Sequence, residues 1–243
     1  MRFENKVCIV TGGSSGIGRA TVLQLIKEGA LVAFLNRNEE EGNDLMQLII
    51  AGGSSNGLFI KTDVGVPEDL QNAVKIVIDK WHKVDVLINN AAMMTFDPIS
   101  ELSLESWDKL MDVNLRGVFL LTKLCLPFMQ SAAIVNVSSV HAQQSTPNVI
   151  PYAASKAAME AFTRGMSREY DSSKVRTNCV APGAIDTPML WNNPNVKSGK
   201  EKVEGAIGKP EEVAAAICFL ASDGASFING TVLVVDGGRL DIL

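Results

Sequence analysis

Short apolar runs alternate with longer amphipathic segments along the whole chain. The short runs are rich in Val, Ile and Leu and mostly lack period-two alternation, which is typical of strands covered on both faces. The predicted strands are Val7–Val10, Leu31–Leu35, Leu58–Lys61, Val84–Ile88, Ala133–Val137, Arg176–Val180 and Thr231–Val235. The amphipathic segments predict helices over Gly16–Glu28, Glu39–Ala51, Pro67–Trp81, Leu104–Met129, Tyr152–Tyr170 and Pro210–Ala221.

The repeated strand–helix order predicts an α/β fold, a doubly wound Rossmann-type parallel sheet of about seven strands with helices on both faces. Because the chain shows no linker or internal repeat, we expect one domain over residues 1–243. One long irregular segment, residues 187–209, contains Pro188, Pro194 and Gly199 and follows the sixth predicted strand. Ligands of such sheets bind at the carboxyl ends of the strands, so this segment is interpreted as a substrate lid, with a disordered connection as the alternative.

Composition narrows the function classes. Lys and Arg number 22 against 27 Asp and Glu, a formal net charge of −5 that argues against a general nucleic-acid binder. Residues 1–6 lack signal-peptide architecture, and no apolar run reaches the roughly 18–20 residues of a membrane span, so we expect a cytoplasmic protein without a membrane partner. The four cysteines are scattered and the two histidines have no clustered partners, so no metal site is predicted.

A glycine-rich loop follows the first predicted strand and opens the first helix. Its spacing is Gly-x-x-x-Gly-x-Gly, in which Gly12 allows a tight turn, Gly16 allows close approach of a pyrophosphate, and Gly18 allows close helix–strand packing. Free N–H groups at the start of the helix then face the anion. The loop therefore predicts dinucleotide binding. The other loop residues expected to contact the cofactor are Ser14, Ser15 and Ile17.

Cofactor choice is expected to depend on the end of the second strand. An acidic residue there would bind a ribose hydroxyl, whereas an arginine accommodates a 2′-phosphate. The chain has Asn36 and Arg37 at this point, which favours NADP over NAD. The alternative is that Arg37 is solvated and the site accepts NAD. Asp63 and Val64, after the third strand, are assigned to the adenine end of the site, with a turn role for Asp63 as the alternative.

Candidate acid/base chemistry centres on Tyr152 and Lys156, which are four residues apart and so share one helix face. A phenol has a reference pKa of about 10, and a nearby ammonium favours the phenolate and lowers that pKa. With Ser139 upstream, the pair suits a general acid/base that acts on an alcohol or carbonyl. Taken alone, the pair could equally be an ordinary contact on a helix surface.

These motifs, taken in order and spacing, resemble those of the short-chain dehydrogenase/reductase family over essentially the whole chain. The matching positions are Thr11–Gly18, Asp63, Asn89-Asn90-Ala91, Asn114, Ser139, Tyr152, Lys156, Pro182-Gly183 and Thr187. Within the family, the sequence is similar to the glucose 1-dehydrogenase and 3-oxoacyl-carrier-protein reductase groups.

The resemblance implies a role for each matching residue. Tyr152 would be the acid/base at the substrate oxygen, Lys156 would lower the pKa of Tyr152 and hold the nicotinamide ribose, and Ser139 would orient the substrate oxygen. Ser139 is preferred to Ser138 because it lies thirteen residues before the tyrosine. Asn114, inside a predicted helix, would hold a water that links the lysine to solvent. The positions expected to contact the cofactor are Asn90, Ala91, Ala92, Pro182, Gly183, Ile185 and Thr187.

One position departs from the family pattern, because Ala92 stands where the family usually has glycine. If this position needs a positive φ, alanine would be strained there. The substrate stays open between a sugar or polyol and a hydrophobic ketone. The residues expected to line its pocket are Met93, His141, Gln143, Thr146, Asn148 and Trp191.

The sequence thus predicts an NAD(P)-dependent oxidoreductase that transfers a hydride between nicotinamide and a secondary alcohol or ketone. One alternative is a catalytically silent NADP-binding sensor on the same fold, and another is an epimerase or dehydratase of the longer branch of the family. The resemblance implies a homotetramer. Apolar residues beyond one helix stripe, expected on an uncovered surface, are Phe119, Leu120, Leu121, Met159 and Phe162.

Overall fold

The computed structural model describes residues 1–199, 202–203 and 205–241. The described residues form seven strands, β1 (Val7–Thr11), β2 (Leu31–Asn36), β3 (Gly57–Lys61), β4 (Val86–Asn89), β5 (Ala132–Val137), β6 (Val175–Pro182) and β7 (Val232–Val235). The α-helices are α1 (Gly16–Lys27), α2 (Glu39–Ala51), α3 (Pro67–Trp81), α4 (Leu104–Met111), α5 (Gly117–Cys125), α6 (Ile150–Glu169), α7 (Pro188–Trp191), α8 (Pro194–Lys197) and α9 (Pro210–Ala221).

The strands form one parallel sheet in the order β3-β2-β1-β4-β5-β6-β7. The order reverses between β1 and β4, which is the point where doubly wound sheets bind ligands at the carboxyl ends of their strands. The predicted fold class is confirmed.

Two apolar cores cover the two faces of the sheet. On one face, Val22 of α1, Leu45 of α2 and Ile217 of α9 pack over the central strands. On the other face, Leu70 of α3 and Leu121 of α5 belong to the second core, together with part of α6. Central strands buried on both sides explain the continuous apolar runs in the sequence.

The predicted long helix Leu104–Met129 is wrong as one regular element. A π-helical turn, Asp112–Arg116, separates α4 from α5, and a 3₁₀ turn follows at Leu126–Phe128. A Cβ added at Gly117 would lie 2.5 Å from the carbonyl oxygen of Val64, so the absence of a side chain there allows close approach of the β3–α3 loop. Asn114 lies inside the π-helical turn.

Residues 187–209 contain two short helices, α7 and α8, that the sequence did not predict. Each begins with a proline at its first turn, a position where the missing N–H needs no helical partner. Residues 200, 201 and 204 of the predicted lid lie outside the described residues. Across the part of the chain described here, no helix is both long and apolar enough to cross a membrane.

Candidate active site

A cavity of about 460 Å³ opens at the carboxyl ends of the strands, beside the reversal in strand order. This volume lies within the range of typical small-molecule sites, roughly 300–1,000 Å³. Residues that the sequence assigned to the site and that line this cavity are Gly12, Ser15, Gly16, Ile17, Asn36, Arg37, Asp63, Val64, Asn90, Ala91, Ala92, Ser139, Tyr152, Lys156, Pro182, Gly183, Ile185 and Thr187. The topology thus brings together residues far apart in sequence.

The glycine loop has the conformation that its spacing predicted. Gly12 and Gly16 have φ values of +62° and +50°, in the left-handed region that favours glycine. A Cβ at Gly18 would lie 2.1 Å from the carbonyl oxygen of Gly12, so Gly18 allows close packing of the helix against the loop. Ser14 and Gly18 are buried and do not line the cavity, so their assignment as cofactor contacts stays a prediction.

Thr11 joins the loop to the end of β4, a role that the sequence did not reveal. Its Oγ1 accepts hydrogen bonds from the backbone N–H groups of Asn90 and Ala91, both at 2.9 Å. The side-chain amide of Asn90 in turn donates to the carbonyl oxygens of Thr11 at 2.9 Å and Gly12 at 3.3 Å. These bonds fix the two cavity walls at the reversal point relative to each other.

One end of the cavity lies where β2 ends and α2 begins. Arg37 lines this end and forms no ion pair with the described residues. The side-chain amide of Asn36 donates to Glu41 Oε2 at 3.1 Å. Asp63 also lines the cavity, and its Oδ1 accepts from the Gly65 N–H at 2.9 Å, so the turn role weighed for Asp63 is present as well.

Ser139, Tyr152 and Lys156 lie together near the middle strands of the sheet. The Ser139 hydroxyl lies close enough to the Tyr152 phenol to lower the pKa of the phenol. Lys156 Nζ lies 5.5 Å from the centre of the Tyr152 ring and donates to the carbonyl oxygen of Val137 at 2.7 Å. Both Tyr152 and Lys156 are buried, with 6% and 1% of their surface exposed. A buried phenol, an amine and a hydroxyl therefore lie together at the cavity.

The expected lowering of the pKa of Tyr152 by Lys156 is not observed. Burial raises the pKa of Tyr152 to about 12, and the Ser139 hydroxyl offsets this only in part. Burial also lowers the pKa of Lys156 to about 8. The sequence argument counted the attraction between the two groups but not the cost of removing each charged form from water.

Ser138 and Ser139 both line the cavity, but their hydroxyls have different hydrogen-bond partners. The Ser138 hydroxyl bonds the carbonyl oxygen of Lys156 at 3.3 Å and Glu160 Oε1 at 3.0 Å. The Ser139 hydroxyl accepts from the His141 N–H at 3.2 Å and meets Tyr152. Of the two serines, only Ser139 affects the pKa of the Tyr152 phenol.

Asn114 is fully buried and does not line the cavity. Its amide bonds both the N–H and the carbonyl of Met93 and donates to Ser155 Oγ at 3.1 Å. Asn114 thus holds the backbone of Met93, a lining residue, without itself lining the cavity. Its predicted role in a water relay stays a prediction.

The concern about Ala92 is not supported, because Ala92 is not among the residues with positive φ. The backbone of Ala92 is therefore in a conformation that alanine readily adopts, and Ala92 lines the cavity without conformational strain.

The expected substrate lining is correct only in part. Met93 and His141 line the cavity, whereas Gln143, Thr146, Asn148 and Trp191 do not. Lining residues that the sequence analysis missed are Leu35, Asn38, Glu41, Thr62, Val113, Val137, Ser138, Val140, Ala184, Pro188, Met189, Leu190, Asn193, Val203 and Arg239. Several of these lie in residues 187–209, whose irregular composition indicated a loop but not which side chains would face inward.

Comparison with known proteins places this geometry in a family. A family model described as enoyl-(acyl carrier protein) reductase matches residues 12–239, nearly the whole chain. The chain belongs to the short-chain dehydrogenase/reductase family. The resemblance stated from the motifs is therefore confirmed.

Curated relatives of this family match end to end. The 3-oxoacyl-[acyl-carrier-protein] reductase FabG of Thermotoga maritima is 38% identical, with 98% of this chain and 99% of that protein covered. A cyclopentanol dehydrogenase of a Comamonas species is 35% identical, with 98% of both chains covered. The matching family model and both curated relatives are named for a reductase or a dehydrogenase, so the protein is an oxidoreductase and the alternative of a catalytically silent sensor is not supported.

Two similar solved structures agree with the fold. A blue fluorescent protein from a metagenomic library, solved with NADPH, is 31% identical with a TM-score of 0.89, over 98% of this chain and 99% of that one. A short chain dehydrogenase from Burkholderia cenocepacia, solved with NADP, is 30% identical with a TM-score of 0.88, over 98% of both chains.

Proposed function

We propose that the protein is an NADP-preferring oxidoreductase that interconverts a secondary alcohol and a ketone, with Tyr152 as the acid/base. The observation that carries the proposal is the shared cavity, which brings the Ser139–Tyr152–Lys156 cluster and the glycine loop to one reversal point of the sheet. In doubly wound sheets this is the position of the dinucleotide.

The residues present fit a nicotinamide dinucleotide. Gly12 and Gly16 shape a loop at the start of α1, where free N–H groups favour a pyrophosphate. Arg37, which forms no ion pair with the described residues, suits a 2′-phosphate. Two relatives were solved with NADPH or NADP, which supports the same preference here, while NAD remains the alternative cofactor. Bound in this cavity, the nicotinamide would supply or accept the hydride.

The chain's own residues would handle the proton. With its pKa raised to about 12, Tyr152 holds its proton at neutral pH, as a general acid must in the direction of ketone reduction. Ser139 would donate a hydrogen bond to the substrate oxygen as negative charge develops there. Lys156, whose Nζ donates to the Val137 carbonyl beside the Tyr152 ring, would hold the ribose of the nicotinamide.

The lining favours a substrate with an apolar body. Met93, Met94, Met189 and Leu190 present apolar surface, and the His141 ring contacts the Tyr152 ring edge-on with centroids 6.0 Å apart. The curated relatives are named for an acyl-carrier-bound ketone and for cyclopentanol. Of the two classes left open by the sequence, we therefore infer a hydrophobic alcohol or ketone rather than a sugar.

Residues 187–209 are proposed to act as a substrate lid on a single domain. Five described members of the segment besides Thr187 line the cavity, namely Pro188, Met189, Leu190, Asn193 and Val203. A Cβ at Gly16 would lie 3.0 Å from Thr187 Cγ2, so the segment begins against the glycine loop. A segment in this position can cover substrate and cofactor together.

We also infer a homotetramer that works in the cytoplasm. Leu121 and Met159 are buried within the chain, which corrects their predicted exposure, whereas Phe119 is 48% exposed. Phe227 and Phe219 are exposed near the edge strand β7, which has no partner on its outer side among the described strands. The four cysteines are buried free thiols, as expected in a reducing compartment.

The proposal is tested by titrating the purified protein with NADPH and with NADH, followed by an assay with cyclopentanone, a short 3-oxoacyl thioester and glucose. We expect tighter NADPH binding and turnover of a ketone. Turnover of glucose alone would contradict the substrate class, and binding of neither cofactor would contradict the proposal as a whole.

A further inference from the structure

Glu41 brings a carboxylate into the cavity at the end where Arg37 lies. Its Oε2 accepts from Asn36 Nδ2 at 3.1 Å, and Asn36 Oδ1 accepts from the Arg37 N–H at 2.9 Å. Asn36, Arg37 and Glu41 all line the cavity. A cation and an anion thus share one end of the site and are linked through a single asparagine.

The turn between β2 and α2 produces this arrangement. The strand ends at Asn36, Asn38 caps the helix, and the helix begins at Glu39. Glu41 therefore lies in the first helical turn, five residues after Asn36, and folds back over the end of the strand. In doubly wound sheets the group recognised at this point is the adenosine ribose at its 2′ position.

We propose that Glu41 is a specificity-determining residue that opposes Arg37 and reduces the preference for NADP over NAD. This inference rests on the proposed function. A 2′-phosphate carries negative charge that Arg37 attracts and Glu41 repels, whereas a 2′-hydroxyl can donate a hydrogen bond to Glu41. The carboxylate therefore weakens the binding of NADP and strengthens the binding of NAD.

Neighbouring acids do not share this position. Glu39 lies in the same helical turn, but its carboxylate pairs with Lys61 at 2.8 Å and it does not line the cavity. Glu40 is exposed, does not line the cavity, and bonds Asn38 only through its backbone N–H. Among the three acids at the start of α2, Glu41 alone faces the cofactor end.

The decisive variant is Glu41→Gln, which removes the charge and keeps an oxygen that can accept from Asn36. Glu40→Gln is the matched control, because it removes the same charge from the same helical turn without altering the cavity lining. For each protein, kcat/KM is measured with NADPH and NADH using one ketone substrate. We expect Glu41→Gln to raise the NADPH-to-NADH ratio about tenfold and Glu40→Gln to change it less than about twofold.

Salt dependence and a second variant test whether charge repulsion causes the change in the NADPH-to-NADH ratio. The effect of Glu41→Gln is expected to shrink at 1 M salt, where screening extends over only about 3 Å. In an Arg37→Gln background, NADPH use should fall, and Glu41→Gln should still raise the ratio if the carboxylate repels the phosphate directly.

A ratio that does not change, or that changes equally in Glu40→Gln, would overturn the inference while leaving the proposed function intact. A wild-type protein that uses neither cofactor would instead contradict the proposed function itself. Thermal melts of all variants confirm that each compared protein is folded.

Discussion

The side-chain amide of Asn114 bonds both polar backbone atoms of Met93. Asn114 Oδ1 accepts the Met93 N–H at 2.8 Å, and Asn114 Nδ2 donates to the Met93 carbonyl at 2.9 Å. A side chain inside a π-helical turn therefore determines where one wall of the cavity lies.

Replacing Asn114 by Asp keeps the acceptor but removes both donated bonds in a fully buried position. We expect a loss of about 2–3 kcal/mol in the free energy of unfolding, together with reduced kcat. Urea unfolding and steady-state kinetics measure the two effects. Asn43→Asp, on the exposed face of α2, is the control. An Asn114→Asp protein as stable as the control would contradict the importance of this contact.

Ser138 and Ser139 are a natural pair for separating stability from catalysis. Ser139→Ala removes the hydroxyl beside Tyr152 and should lower kcat by about 10²-fold with little change in stability. Ser138→Ala removes bonds to Glu160 and to the Lys156 carbonyl, and should cost about 1 kcal/mol of stability with a smaller effect on kcat. A larger loss of kcat in Ser138→Ala than in Ser139→Ala would contradict this assignment of the two serines.

Lys156 predicts a specific pH dependence of stability. Burial lowers its pKa from 10.5 to about 8, so between these values the folded protein binds fewer protons than the unfolded chain. The cost of burying the charge is fully present below pH 8 and is relieved as the pH rises through 10.5. Relative to Lys156→Met, the wild-type protein should therefore gain on the order of 2–3 kcal/mol between pH 7 and pH 10. Urea unfolding of both proteins across this range measures the gain, and a difference independent of pH would contradict it.

Ala92 provides a test of whether the family glycine matters here. Because Ala92 does not have a positive φ, glycine brings no relief of strain and only adds freedom to the unfolded chain. We expect Ala92→Gly to lose about 0.5–1 kcal/mol of stability and to gain no activity. A marked rise in kcat would show that the methyl group obstructs the site.

The sheet and the glycine loop could be predicted from the sequence because each depends on local patterns. Strands buried on both faces leave continuous apolar runs, and Gly12 and Gly16 mark backbone positions that favour glycine. The pairing of Ser139 with Tyr152 came from the resemblance to the family, and the topology accounts for it by bringing the end of β5 beside the start of α6.

Other features depend on tertiary contacts that leave no local signal. The raised pKa of Tyr152 follows from burial by distant segments, and the position of Glu41 follows from a turn that folds back over β2. The π-helical turn that splits the long helix lies directly before Gly117, where the Val64 carbonyl approaches closely. None of these could be read from spacing alone.

The most direct test of the account is kcat for Tyr152→Phe compared with Tyr170→Phe, which together cover the chain's two tyrosines. Tyr152→Phe removes only the phenolic oxygen from the cavity, whereas Tyr170 directly follows α6 and does not line it. The account predicts that Tyr152→Phe lowers kcat by about 10²–10⁴-fold while NADPH binding stays unchanged, and that Tyr170→Phe is close to wild type. Full turnover by Tyr152→Phe would contradict the assignment of Tyr152 as the acid/base.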